Sequence, residues 1–162
     1  MSKLSDPSLR YVVYGNVVSR TLEFLRHAGA DGNEGVVLWP GKLEGNRCVT
    51  TEPLFPAQEG GPVFYDIPDE EVLRILRFVY DRELVIPIQV HSHPKSAYHS
   101  CADNERAFVQ HENGISIVVP NFAHFADSDF LFRARFYRLR KRSIWRAISP
   151  RQISELFHFE RT

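Results

Sequence analysis

Residues 84–94, LVIPIQVHSHP, constrain the chain most, because their chemistry alternates with a period of two. In an extended strand, alternate side chains share a face. Ile88, Val90 and Ser92 then point one way, and Gln89, His91 and His93 point the other. The apolar face packs inward. The two imidazoles stand side by side on the opposite face, about 7 Å apart at their α-carbons. Pro94 ends the strand behind them. Pro87 cannot donate to a ladder, which predicts that the strand starts late or lies at a sheet edge there.

Helical and extended signals interleave along the rest of the chain. Residues 14–27 read as a helix, with Val18, Leu22 and Leu25 on one face and Gly29 as a stop. Residues 35–39 (GVVLW) read as a buried strand. Residues 47–51 are its antiparallel neighbour, across a turn containing Gly41 and Gly45. Residues 52–66 (EPLFPAQEGGPVFYD) lack periodicity and read as a loop. Residues 67–71 open a helix, with Pro68 in the first turn and acids at the positive end of the dipole; Val72, Ile75, Leu76 and Val79 form its stripe. Residues 100–111 predict a further helix, residues 115–119 (ISIVV) a buried strand, and residues 130–139 with 144–148 a hairpin. Ser149-Pro150-Arg151-Gln152 has the form of a capping box opening a last helix toward Phe157. Helices interleaved with antiparallel strands make a mixed α/β or α+β domain. Without repeats or a break in composition, one domain over residues 1–162 is expected.

Charge excludes some functions. The 20 Lys and Arg balance the 20 Asp and Glu, so no net field steers the chain toward nucleic acid or a membrane surface. No apolar run approaches the roughly 20 residues that span a bilayer. The opening MSKLSDPSLR lacks the layout of a secretory signal. Cys48 and Cys101 form no CxxC pair, so a reducing cytoplasm is the expected compartment.

The chemistry gathers after the histidine strand. Ser100 begins the next helix, and Asp103 lies in its first turn. The connecting residues 95–99 are few enough to return that turn beside His91 and His93. Two neutral nitrogens and one carboxylate oxygen leave a fourth tetrahedral position open, the layout of a catalytic rather than a structural zinc. Ser100-x-x-Asp103 could equally be a simple helix cap. His99 and Cys101 could also ligate, and a fourth protein ligand would close the site.

His91-Ser92-His93-Pro94, followed by Ser100 and Asp103, resembles the JAMM motif of the MPN+ (Prok-JAB) metalloproteases, zinc isopeptidases that remove ubiquitin and ubiquitin-like proteins. Ala97-Tyr98-His99-Ser100 and ISIVVPNF, residues 115–122, are similar to bacterial members. The likeness extends over roughly residues 10–120 in the order of elements. It implies a single MPN/JAB-like (cytidine-deaminase-like) domain with a mixed, mostly antiparallel sheet flanked by helices. It further implies that His91, His93 and Asp103 hold one zinc ion per chain, with a bound water. Glu34, just before GVVLW, would deprotonate the attacking water and pass the proton to the leaving amine. Composition does not separate Glu34 from Glu44 or Glu52; only its position does. Ser100 would hydrogen-bond the oxyanion.

The implied reaction is hydrolysis of the amide bond after the C-terminal glycine of a ubiquitin-like protein, as deconjugation or precursor processing, in a bacterial conjugation system used in antiviral defence. Implied partners are that protein's C-terminal tail, its conjugates, and E1- and E2-like proteins of the same operon. Two other classes stay open: a zinc hydrolase of sulfur-carrier-protein–cysteine adducts, and a non-catalytic MPN scaffold. Residues 52–66 would form one wall of a groove for an extended tail, with Phe55, Phe64 and Tyr65 either in the core or in a partner patch. Residues 133–151 (RARFYRLRKRSIWRAISPR) are rich in arginine and aromatics. A solvated hairpin face is the cheaper reading than single-stranded nucleic acid, so nucleic acid and membrane are not expected partners.

Overall fold

In a computed structural model, which describes residues 3–141 and 144–161, the histidine strand sits in the middle of an eight-stranded mixed sheet. Along the chain run β1 (Arg10–Tyr14), α1 (Gly15–Ala30), β2 (Val36–Glu44), β3 (Arg47–Thr50), β4 (Glu59–Gly61), β5 (Phe64–Asp66) and α2 (Asp69–Asp81). Then come β6 (Val85–Ser92), α3 (Cys101–Arg106), β7 (Ile115–Val119), α4 (Phe130–Arg133), β8 (Arg135–Leu139), β9 (Trp145–Ala147), α5 (Pro150–Leu156) and β10 (Phe157–Glu160). The sheet order is β10-β1-β3-β2-β6-β7-β8-β9, and β4 pairs with β5 in a separate hairpin. Four of its seven pairings are antiparallel: β2 with β3 and β6, and β8 with β7 and β9. The mixed sheet flanked by helices is the architecture the sequence implies.

Alternation decides which layer covers which face. Val37, Trp39, Ile88, Val90, Ile115 and Ile117 pack under α1, which contributes Val18, Leu22 and Leu25. Burying such a side chain is worth about 1.5–3 kcal/mol. Trp39 donates its Nε1–H to Thr21 Oγ1 at 2.8 Å, so the indole carries no unpaired donor into this layer. The other face carries Val36 and Leu38 under Ile75 and Val79 of α2, with the ring of Tyr65 between. Val36 pairs with His91, which places the imidazole on that second face. The outer strands curl toward each other: Phe136 of β8 meets Phe157 of β10 at 5.3 Å between ring centroids, and Phe130 meets Phe159 at 6.2 Å.

Several expectations need correcting. Pro87 does not mark an edge, because β6 is central, between β2 and β7. It is tolerated because the β2–β6 register shifts between Trp39 and Gly41, opposite it, and β7 pairing begins only at Ile88. Gly41 lies inside β2, paired with Thr50, rather than in the turn. A Cβ there would meet Cys48 Sγ at 2.5 Å. Residues 52–66 are not all loop: they hold the β4–β5 hairpin. The helix expected over residues 100–111 ends at Arg106. The first part of the expected hairpin over residues 130–139 is the helical turn α4, before β8 and β9 pair as expected. β1 and β10 were not foreseen.

Candidate metal centre

His91 stands in the last residues of β6 and His93 just past its end, 0% and 3% exposed. Asp103 is delivered by α3, whose start is fixed by a reciprocal cap. Ser100 Oγ accepts from the Asp103 N–H at 3.1 Å, and Asp103 Oδ2 accepts from the Ser100 N–H at 2.6 Å. The capping reading and the site reading are therefore one structure: the cap aims the carboxylate. Asp103 Oδ1 lies 3.3 Å from His91 Nε2, and Oδ2 lies 3.2 Å from His93 Nε2. The three ligand atoms all fall within 4.8 Å of one another. Neither ring nitrogen of His91 has a hydrogen-bond partner among the described residues, although both are buried. A buried imidazole in that state, facing a second imidazole and a carboxylate, fits a metal held by two nitrogens and an oxygen. Burial would raise the Asp103 carboxyl, but the two imidazoles and the Ser100 N–H hold it well below the usual carboxylate range.

Glu34 is also brought to this place. It lies two residues before Val36, 4% exposed, and its N–H donates to the Gly61 carbonyl of β4 at 2.8 Å. Burial pushes its carboxyl up to about 7; His93 pulls it down and Asp103 pushes it up. A carboxylate poised near neutrality suits a general base. The shift also carries a stability consequence. The folded pKa exceeds the unfolded 4.5, so the contribution of this one group to the metal-free native state is fully present below about 4.5 and is lost as pH rises through about 7. Glu34→Gln is therefore expected to stabilise chelator-treated protein by about 2–3 kcal/mol above pH 7 and to leave it unchanged near pH 4. Urea unfolding at both pH values checks this; equal shifts at both would remove the ionisation as the cause.

Around the histidines lies an aromatic shell. Tyr65 packs on His91 at 5.5 Å, Tyr98 meets His93 edge-on at 4.7 Å, and His99 meets His91 edge-on at 5.8 Å. His99 is stacked on Trp145 and stays outside the triad, and the Cys101 side chain lies outside the described residues.

Sequence reasoning missed the residues that hold Glu34. Gln58 bonds both backbone groups of Val36, and Gly60 packs where a Cβ would meet the Glu34 carbonyl at 2.5 Å. The signal available was Gly60-Gly61-Pro62 ahead of two aromatics, which marks a tight hairpin. Of the expected aromatic patch, Tyr65 is buried, Phe55 packs on Phe24, and Phe64 stays 37% exposed. In the basic stretch, Arg138 is buried and bonds the Pro7 carbonyl, Arg151 pairs with Glu155, and Arg142 and Ser143 lie outside the described residues.

No protein-family model matches the chain. It is 36% identical over 135 residues to a probable metalloprotease, y4jG, of Sinorhizobium fredii, a match covering 81% of this chain and 82% of that protein. The solution structure of a Desulfitobacterium hafniense protein superposes with a TM-score of 0.65 at 14% identity, over 94% of each chain. The crystal structure of a JAB1/MPN domain protein from Archaeoglobus fulgidus gives 0.50 at 18% identity, over 88% of this chain and 94% of that one.

Proposed function

This chain belongs to the JAB1/MPN (JAMM) family of metalloproteases, and from that premise we propose that it hydrolyses the amide bond after the C-terminal glycine of a ubiquitin-like protein. The observation that carries the reading is the convergence of His91, His93 and Asp103 beside a buried Glu34. His91, His93 and Asp103 would hold the metal. Two imidazoles and one carboxylate suit zinc better than magnesium or calcium, which take oxygen ligands. Zinc held there would act as a Lewis acid on the scissile carbonyl.

The chain's own residues do the rest. Glu34 takes the proton of the attacking water and passes it to the leaving amine. Ser100 Oγ already accepts from the Asp103 N–H, so its hydroxyl proton is free to be donated to the developing oxyanion. The same cap holds Asp103 facing both imidazoles.

Substrate follows from the surroundings. The β4–β5 hairpin rises beside Glu34 and His91, and an extended tail would lie along it by main-chain pairing. Val63 and Phe64 on the hairpin and Leu73, Leu76 and Tyr80 on α2 are exposed, an apolar surface for the folded body of the partner. The setting is a bacterial conjugation system of the antiviral-defence type, in the cytoplasm, with E1- and E2-like partners, acting as one domain over residues 1–162. No helix among the described residues is long and apolar enough to cross a membrane.

The test is cleavage of a ubiquitin-like protein fused through its C-terminal glycine to a folded reporter, with and without chelator. Expected is a cut after the glycine that chelator abolishes and added zinc restores. Cleavage only when cysteine alone follows the glycine would move the assignment to a hydrolase of sulfur-carrier adducts. No cleavage of either with zinc bound would make the chain a scaffold.

A further inference from the structure

Asn121, Phe122 and Ala123 have positive φ values of 53°, 49° and 62°, three consecutive residues without a glycine. Cβ crowding disfavours each in this left-handed region, and a run of them persists only where the surroundings over-determine it. Here they do. Arg26 of α1 donates Nε–H to the Ala123 carbonyl at 2.8 Å and Nη2–H to the Phe125 carbonyl at 2.7 Å, and it pairs with Asp127. Phe122 lies against Gly29 of the same helix, so closely that a Cβ on Gly29 would come within 2.3 Å of the Phe122 Cβ.

The turn's own donors reach the metal strand. Phe122 N–H bonds the His93 carbonyl at 2.9 Å, and Asn121 N–H bonds the Lys95 carbonyl at 2.9 Å. His93 N–H bonds the Val119 carbonyl at 2.8 Å. His93 needs this support because β6 ends at Ser92 and Pro94 has no N–H to give. A right-handed or extended link after β7 would aim those N–H groups elsewhere. This is also the part of ISIVVPNF that the metal chemistry leaves without a role.

We propose that the left-handed turn at Asn121–Ala123, clamped by Arg26, is a positioning device for His93. Arg26 is a positioning residue: it touches neither ligand nor substrate and acts through the Ala123 and Phe125 carbonyls on the peptide that carries the imidazole. The inference rests on the zinc reading of the triad.

The experiment measures zinc affinity of wild type, Arg26→Met and Arg26→Lys by competition with a chromogenic chelator, with thermal melts and the visible spectrum of the cobalt-substituted protein alongside. Outer-shell partners of ligating histidines are worth about 10–100-fold in metal affinity. Expected is a rise of about tenfold or more in the zinc Kd of folded Arg26→Met, an altered cobalt spectrum, and Arg26→Lys in between, because it keeps one charged donor. A folded Arg26→Met with a lower melting temperature, a zinc Kd within twofold of wild type and an unchanged spectrum would overturn the proposal. If Arg26→Met does not fold, the same twofold criterion applies to Arg26→Lys. A wild type that binds no zinc defeats the zinc reading itself, an outcome distinct from equal affinities.

Discussion

Glu34→Gln is expected to lower kcat by about 10²–10⁴-fold while the protein still binds one zinc per chain. The substitution keeps volume and hydrogen-bonding shape but removes the proton acceptor. Glu34 is not one of the three clustered ligand residues, so the metal has no reason to leave with its charge. In the metal-free chain its carboxyl is raised to about 7, chiefly by burial. Single-turnover cleavage with zinc content measured on the same sample checks both halves. Activity within tenfold of wild type would take Glu34 out of the mechanism, and loss of zinc would make it a ligand instead.

Gly60→Ala carries the second large effect. The new methyl would sit 2.5 Å from the Glu34 carbonyl and 3.2 Å from Asn33 Cβ. The first of these is backbone, so either Glu34 or the hairpin must shift. Overpacking of this kind costs about 1–3 kcal/mol. A general base displaced by about an ångström costs about 100-fold in rate. We therefore expect a lower melting temperature together with a kcat near one hundredth of wild type. Wild-type kcat in a destabilised Gly60→Ala protein would show that the hairpin supports the fold without setting Glu34.

The site was legible where periodicity and short-range geometry coincide. The two-residue rhythm of β6 put both histidines on one face, and Ser100-x-x-Asp103 announced a cap whose carboxylate is also the third member of the cluster. The buried strand β7 was read at its observed bounds, because five consecutive apolar and small residues can serve little else. The hairpin escaped because each of its strands has three residues, too few for any period, and two of those residues are glycine. The left-handed turn escaped because it contains none of the glycines that usually announce positive φ. What sets it is Arg26, nearly a hundred residues earlier, and no local rule sees across that distance. β1 and β10 escaped for the same reason: each becomes a strand by pairing with a distant segment.

That last pairing has a consequence for how the chain comes to be folded. Tyr11 pairs with Phe157, so the edge of β1 away from β3 is closed only by residues 157–160. While the chain is being synthesised, β1 can meet β3 long before those residues have left the ribosome, and its other side waits as an open row of backbone donors and acceptors. Contacts of such long sequence separation form slowly. The sheet is thus completed only once residues 157–160 reach β1, and the interval before β10 docks is when this edge is most open to self-association.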